Sequence, residues 1–212
     1  MCSSDLKAVL LPTVFIFVWH ATPNAESAFF YFTTNELQFQ PEFLGRVRLV
    51  TSFASLFGVW AFQRYFKTIS FKIIFTWGIF ISTALGMTTL LLVTHTNRLL
   101  GINDHWFSLG DNLIITVIGK IVFMPVLVLA TKLCPPGIEA TFFALIMSVF
   151  NLGGTVSYWL GSMIMKWLGI TENQFDLLWL LIIITNCSSL IPIFFINWLP
   201  DGKIETDDSS SI

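Results

Sequence analysis

The chain has 212 residues, 55% of them hydrophobic and only 11% charged, with a formal net charge of −2 and a mean hydropathy of +0.76. Soluble domains carry about 25% charged residues, so this composition excludes an ordinary soluble domain, and the lack of a basic block excludes a nucleic-acid partner. Cys2, Cys134 and Cys187 are scattered, which gives neither a disulfide framework nor a metal-ligand spacing.

A membrane span needs about 20 apolar residues at 1.5 Å rise each. Six stretches qualify: 8–33, 43–66, 71–94, 107–131, 138–168 and 175–199. The expectation is an all-α, integral, multi-pass membrane protein. It comprises one six-helix domain over 1–200 and an acidic, Ser-rich disordered tail over 201–212. The N-terminal MCSSDLKAVLL has no basic n-region, so it reads as the lead-in to the first span, not as a removable signal.

The first stretch is interrupted by Pro12 and Pro23, with a polar His20-Ala21-Thr22-Pro23-Asn24 at its middle. Proline removes a backbone donor and disfavours helix at the residue before it. The break is either a simple kink or a discontinuous helix at a ligand site. Glu26, one turn on, is expected to be buried toward protein, not exposed to lipid.

The second stretch opens on Glu42 and Arg46, four apart and placed for a local ion pair. Arg48, Thr51, Ser52 and Ser55 then share one helical face. Arg48 either snorkels to head groups or faces an aqueous path, where its fork suits a carboxylate or phosphate. Arg64, Lys67 and Lys72 make the next loop the most basic, which places it on the cytoplasmic side together with both termini. The third stretch has Gly and Thr at its middle but no ionisable residue, and is expected at the periphery.

The fourth stretch holds Asp111 and Lys120, nine positions apart. That is about 180° around a helix and roughly 13 Å along it, so the two cannot pair. A charge in mid-bilayer costs at least ~3 kcal/mol on insertion scales, so each needs a partner from another helix or a ligand. Asp111, near the outer end, has solvation as a further option. Cys134-Pro135-Pro136-Gly137 forms a turn on the cytoplasmic side, and Glu139 opens the fifth stretch, where a carboxylate also complements the helix dipole. There Thr141, Ala144, Ser148, Asn151, Thr155 and Ser162 fall on one narrow arc. Such a stripe means close helix packing or a lined cavity. Pro23-x-x-Glu26-x-x-Phe29-Phe30 echoes Pro136-x-x-Glu139-x-x-Phe142-Phe143, as internal repeats would.

An enzyme is not indicated. Leu109-Gly110-Asp111 departs from the Gly-x-Gly-Asp motif of membrane aspartyl proteases at Ser108, and no second carboxylate stands beside it. There is no His-Glu-x-x-His and no Gly-x-Ser-x-Gly. No cofactor or metal motif is present.

Several stretches resemble the folate-biopterin transporter family, a branch of the major facilitator superfamily. They are Ala21-Thr22-Pro23, Phe29-Phe30-Tyr31-Phe32-Thr33-Thr34-Asn35, Pro41-Glu42-Phe43-Leu44-Gly45-Arg46, Leu109-Gly110-Asp111, Phe123-Met124-Pro125-Val126-Leu127-Val128-Leu129-Ala130 and Leu133-Cys134-Pro135-Pro136-Gly137-Ile138-Glu139-Ala140-Thr141. The resemblance implies twelve helices in two six-helix halves, with this chain similar to the second half. It implies transport of folates or pterins through a lipid bilayer, with a second six-helix half as partner. The alternative is a non-transporting assembly partner. The implied substrate-binding set is Glu26, Arg48, Asp111, Lys120, Glu139 and Asn151. In it Arg48 and Lys120 neutralise carboxylates, while Glu26, Asp111 or Asn151 hydrogen-bonds the ring. The membrane is left open between the plasma membrane and a plastid envelope.

Overall fold

The structure, a computed structural model, describes residues 3–133 and 139–202. The Cys134-Pro135-Pro136-Gly137 turn, Cys2, the Pro136 end of the internal echo and the tail 203–212 lie outside the described residues. So does the side chain of Glu139.

All elements among the described residues are helical. Helix α1 spans Ser3–His20 and carries Pro12 inside it. After a break at 21–25, α2 runs Glu26–Tyr31 and continues as a π-helical turn over Phe32–Glu36. Helix α3 spans Pro41–Ala61, with proline at its first position, where a missing N–H costs nothing. Helix α4 spans Phe71–Val93, and Ser70 caps it by accepting from the Ile73 amide.

The short α5, Thr96–Leu99, leads into α6, Asp104–Lys132. Asn103 caps α6 through the His105 amide, and Asp104 and Lys132 complement the dipole at its two ends. Helix α7 spans Glu139–Trp167. Helix α8, Leu178–Ser188, is followed by a 3₁₀ segment over Ile191–Trp198. Among the described residues four stretches are long and apolar enough to cross a membrane: Phe71–Val93, Asp104–Lys132, Ala140–Trp167 and Leu178–Trp198. Large apolar side chains point outward, with Phe53 65% and Trp77 64% exposed. An aqueous surface would not favour such a belt; acyl chains do.

Two apolar clusters form the interior. Phe15, Phe62, Phe75, Val126, Leu129 and Leu199 belong to one. Ala28, Phe32, Leu92, Ile170, Leu178 and Ile182 belong to the other. Helix α4, the α1–α2 pair, and α8 together with the segment that follows it contribute to both. Between their two contributions each carries polar residues: His20–Asn24, then Thr83 and Thr89, then Asn186 and Ser189. The fold is thus a bundle whose two ends are apolar and whose middle is polar.

Two expectations are corrected here. Helix α4 is not peripheral. It packs on both α6 and α8, and Phe71, Phe75, Ile79 and Thr83 are buried. Its uncharged middle reflects partners that hydroxyls can satisfy, not exposure to lipid. The small-polar stripe of α7 does not pack against a helix either. Thr141, Ala144, Ser148, Asn151, Thr155 and Ser162 are all exposed. The packed side, with Ile146, Gly153, Ser157 and Gly161, lies roughly opposite. The C-terminal segment docks back on α4, where Asp201 pairs with Lys72 at 2.5 Å and the Phe71 amide donates to the Gly202 carbonyl.

Candidate functional site

The break after α1 organises the site. Proline at 23 leaves backbone groups without helical partners, and in a bilayer each unsatisfied group costs several kcal/mol. Helix α7 supplies the partners. The buried Ser157 hydroxyl donates to the Thr22 carbonyl at 2.5 Å and accepts from the Asn24 side-chain amide at 2.9 Å. Asn24 Oδ1 in turn accepts from the Glu26 amide at 3.1 Å, which starts α2. The approach is close because α7 presents glycine there. A Cβ on Gly161 would collide with the Asn24 carbonyl oxygen.

His20 ends α1 on the same side. Its ring stacks on Phe150, with centroids 3.8 Å apart, and its Nδ1 lies 2.9 Å from the Phe150 carbonyl. A carbonyl only accepts, so Nδ1 carries the proton.

A central cavity of about 530 Å³ opens at this level. Thr22, Asn24 and Glu26 line it from the break, with Asp111 and Asn112 from α6. Thr89, Tyr158 and Asn186 close it from α4, α7 and α8. Asp111 is half-buried, and its two oxygens are held by α4: Thr88 donates to one and Thr89, at 3.1 Å, to the other. The aspartate's partners are therefore neutral hydroxyls.

A side cavity of about 630 Å³ adjoins the first. Thr33, Pro41, Leu44 and Arg48 line it, and it shares Glu26, Phe29, Asn112 and Tyr158 with the central cavity. The Tyr158 hydroxyl donates to the Glu26 carboxylate at this junction. Glu26 is exposed into the cavities, a correction to its expected burial. The residue after a break is pushed off the packed face, because α2 restarts with only Ala28 buried. Arg48 is exposed and forms no ion pair within 4.0 Å among the described residues, and neither do Glu42 and Arg46.

The structure thus brings Glu26 and Asp111 together, with Arg48 next to them. It does not bring Lys120 or Asn151 to either cavity. Lys120 packs its Cβ near Gly58 of α3, and its ammonium lies 5.4 Å from the Phe123 ring centroid. Phe123 in turn meets Phe150 of α7. Asn151 is exposed on the outward stripe of α7. The Glu139 side chain lies outside the described residues. Sequence reasoning missed Thr88, Ser157, Tyr158 and Asn186. None is charged, and only the phase of each helix against its neighbours selects them.

Residues 4–211 match the model of the BT1 family. The chain is 62% identical over 204 residues to the folate-biopterin transporter of Synechocystis sp., a match that covers 96% of this chain and 41% of that protein. It is 33% identical over 192 residues to Folate transporter 2 of Plasmodium falciparum, covering 91% and 42%. Folate transporter 1 of the same organism is 32% identical over 188 residues, covering 89% and 37%. The chain therefore spans about 40% of the length of these curated relatives, which are named as transporters and not as enzymes. No solved structure matches it.

Proposed function

The chain belongs to the BT1 family, and from that premise we propose that it serves membrane transport of folate- and pterin-type organic anions, as one half of a secondary transporter. It is an integral, multi-pass membrane protein. The observation that carries the proposal is the polar middle layer. It holds two adjoining cavities, acidic side chains and an arginine with no ion-pair partner among the described residues, between two apolar clusters. Transporters bind substrate near the bilayer midplane, beside discontinuous helices. Both cavities fall within the size range of small-molecule sites.

In this reading the discontinuous α1–α2 pair and α3 are spans as well, which gives six with the four apolar ones. The six form the second half of a major facilitator transporter, whose substrate lies between halves. A second six-helix half is then the partner that completes the access route. Arg48 and Lys120 supply positive charge for the anion. Glu26 or Asp111 hydrogen-bonds the ring; Asn151, exposed on the outward stripe of α7, is a candidate on the side that faces the second half, and Glu139 is the remaining candidate. The exposed polar stripe on α7 supports a facing partner, because hydroxyls and an amide are poor neighbours for acyl chains.

The test is uptake of radiolabelled folate into vesicles holding the chain alone, or the chain with a second six-helix half. Accumulation above empty vesicles in the paired preparation is expected. Co-purification of the two halves without uptake of folate or biopterin would leave an assembly role and remove the transport proposal.

A further inference from the structure

We infer, on the basis of the transport reading above, that the two cavities are the two ends of one site and that they fix which way round the ligand lies. The pteridine end sits in the central cavity against Asp111, and the carboxylate tail lies in the side cavity on Arg48.

The charge distribution carries this. Among the described residues no lysine or arginine lines the central cavity, and the acidic side chains there are Glu26 and Asp111. A carboxylate tail placed there meets like charge. An ionised carboxylate only accepts hydrogen bonds, so it selects donors. The 2-amino-4-oxopyrimidine edge of a pterin offers two adjacent N–H groups, which match a carboxylate as the guanidinium fork does. Asp111 is oriented for this before any ligand arrives, because Thr88 and Thr89 hold its two oxygens and leave lone pairs over. Flat side chains are at hand: Trp19, His20, Phe29 and Tyr158 all border the cavity.

The side cavity is different. Its cation is Arg48, whose guanidinium has no carboxylate partner among the described residues. Its fork binds a carboxylate through two parallel hydrogen bonds. The four shared residues make the cavities immediate neighbours, which is the placement an extended ligand spanning both requires. Glu26 stands at the junction with the Tyr158 hydroxyl on its carboxylate. Lys120 borders neither cavity and takes no part in setting this orientation. The distinction predicts two sorts of ligand: pterins that use the central cavity alone, and folates that use both.

Every residue named in this scheme belongs to this chain, so the orientation is tested on this chain. The full chain in lipid nanodiscs is titrated by equilibrium dialysis with three radiolabelled probes. These are folate, biopterin (ring, no carboxylate) and p-aminobenzoylglutamate (tail, no pteridine). Arg48→Gln is expected to weaken folate and the tail fragment roughly tenfold, the loss of one charge-assisted pair, and to leave biopterin unchanged. Its retained biopterin binding shows that the variant is folded. Asp111→Asn is expected to weaken folate and biopterin and to spare the tail fragment. Equal loss of folate and biopterin in Arg48→Gln, or unchanged folate binding there, overturns the orientation while transport survives. Loss of all three probes in Asp111→Asn at an unchanged gel-filtration elution overturns it as well. A wild-type chain that binds none of the three overturns the orientation, while uptake by the paired halves decides the transport reading separately.

Discussion

Asp111 and Thr89 face each other across α6 and α4 at 3.1 Å, with Thr88 on the aspartate's other oxygen. A carboxylate in an apolar helix is thus held by two uncharged hydroxyls. Removing donors from a half-buried carboxylate costs about 1–3 kcal/mol. Thr88→Val combined with Thr89→Val should therefore lower the unfolding midpoint of the solubilised protein, while Asp111→Leu with both valines recovers part of the loss. A double variant as stable as the wild type would show that the contact contributes nothing.

Gly161 is the point where α7 meets the broken backbone after α1. A methyl group there runs into the Asn24 carbonyl, which is main chain and cannot swing aside. Gly161→Ala should cost about 1–3 kcal/mol and disturb the central cavity. Gly119→Ala, on α6, meets nothing within 4 Å. It should be neutral or stabilising by up to ~1 kcal/mol through helix propensity. Thermal-shift midpoints of the two variants make the comparison, and equal midpoints would contradict the close approach.

The connection between α4 and α6 separates two kinds of polar contact. Asn97 is fully buried and donates to the Ile102 carbonyl and to Asp104. Arg98 is exposed and grips the same Asp104 through Nε and one terminal nitrogen, at 3.0 and 2.7 Å to Oδ2. The carboxylate beside it holds the guanidinium above its ordinary pKa, so the arginine stays charged. Exposed ion pairs contribute only about 0.2–1 kcal/mol, whereas a buried amide with two partners lost costs roughly 1–3 kcal/mol. Asn97→Ala should therefore destabilise more than Arg98→Gln. Denaturation of both variants in the same detergent checks the order, and high salt should erase only the Arg98 effect.

Lys120 tests the anion assignment outside the cavities. Its partners are a glycine surface and a phenyl ring, with no ion pair among the described residues. A cation left so has its interaction with a passing anion or a facing helix still to make. Lys120→Ala in the complete transporter should reduce folate uptake by roughly tenfold at equal protein level. Unchanged uptake would remove Lys120 from the binding set.

Much of the site's location was legible because charges and prolines stand out in apolar runs. His20–Asn24 marks the polar middle directly, whereas Asp111 reads as lying near the outer end of its stretch, and the 180° between Asp111 and Lys120 follows from helix geometry alone. Who answers each group was not legible. Thr88 and Thr89 carry no charge, so α4 looked like a lipid-facing helix. On α7, periodicity identified the residues that share a face, but not which face packs. Ser157 and Gly161 bind the neighbouring chain, while the more conspicuous stripe containing Asn151 points outward. Period is a property of one helix; phase is set by the others around it.

The alternation of apolar ends and polar middle also governs how the bundle can deform. Tilting a helix at either end means repacking phenylalanines and leucines against close-packed neighbours, with every lost contact uncompensated. Across the waist, contacts are made by hydroxyls, amides and carboxylates, which can trade one partner for another or for water. Pro23 and the 21–25 break give α1 and α2 a joint at that same depth. The molecule is stiff at its ends and compliant at its waist, so bending strain collects where the cavities are.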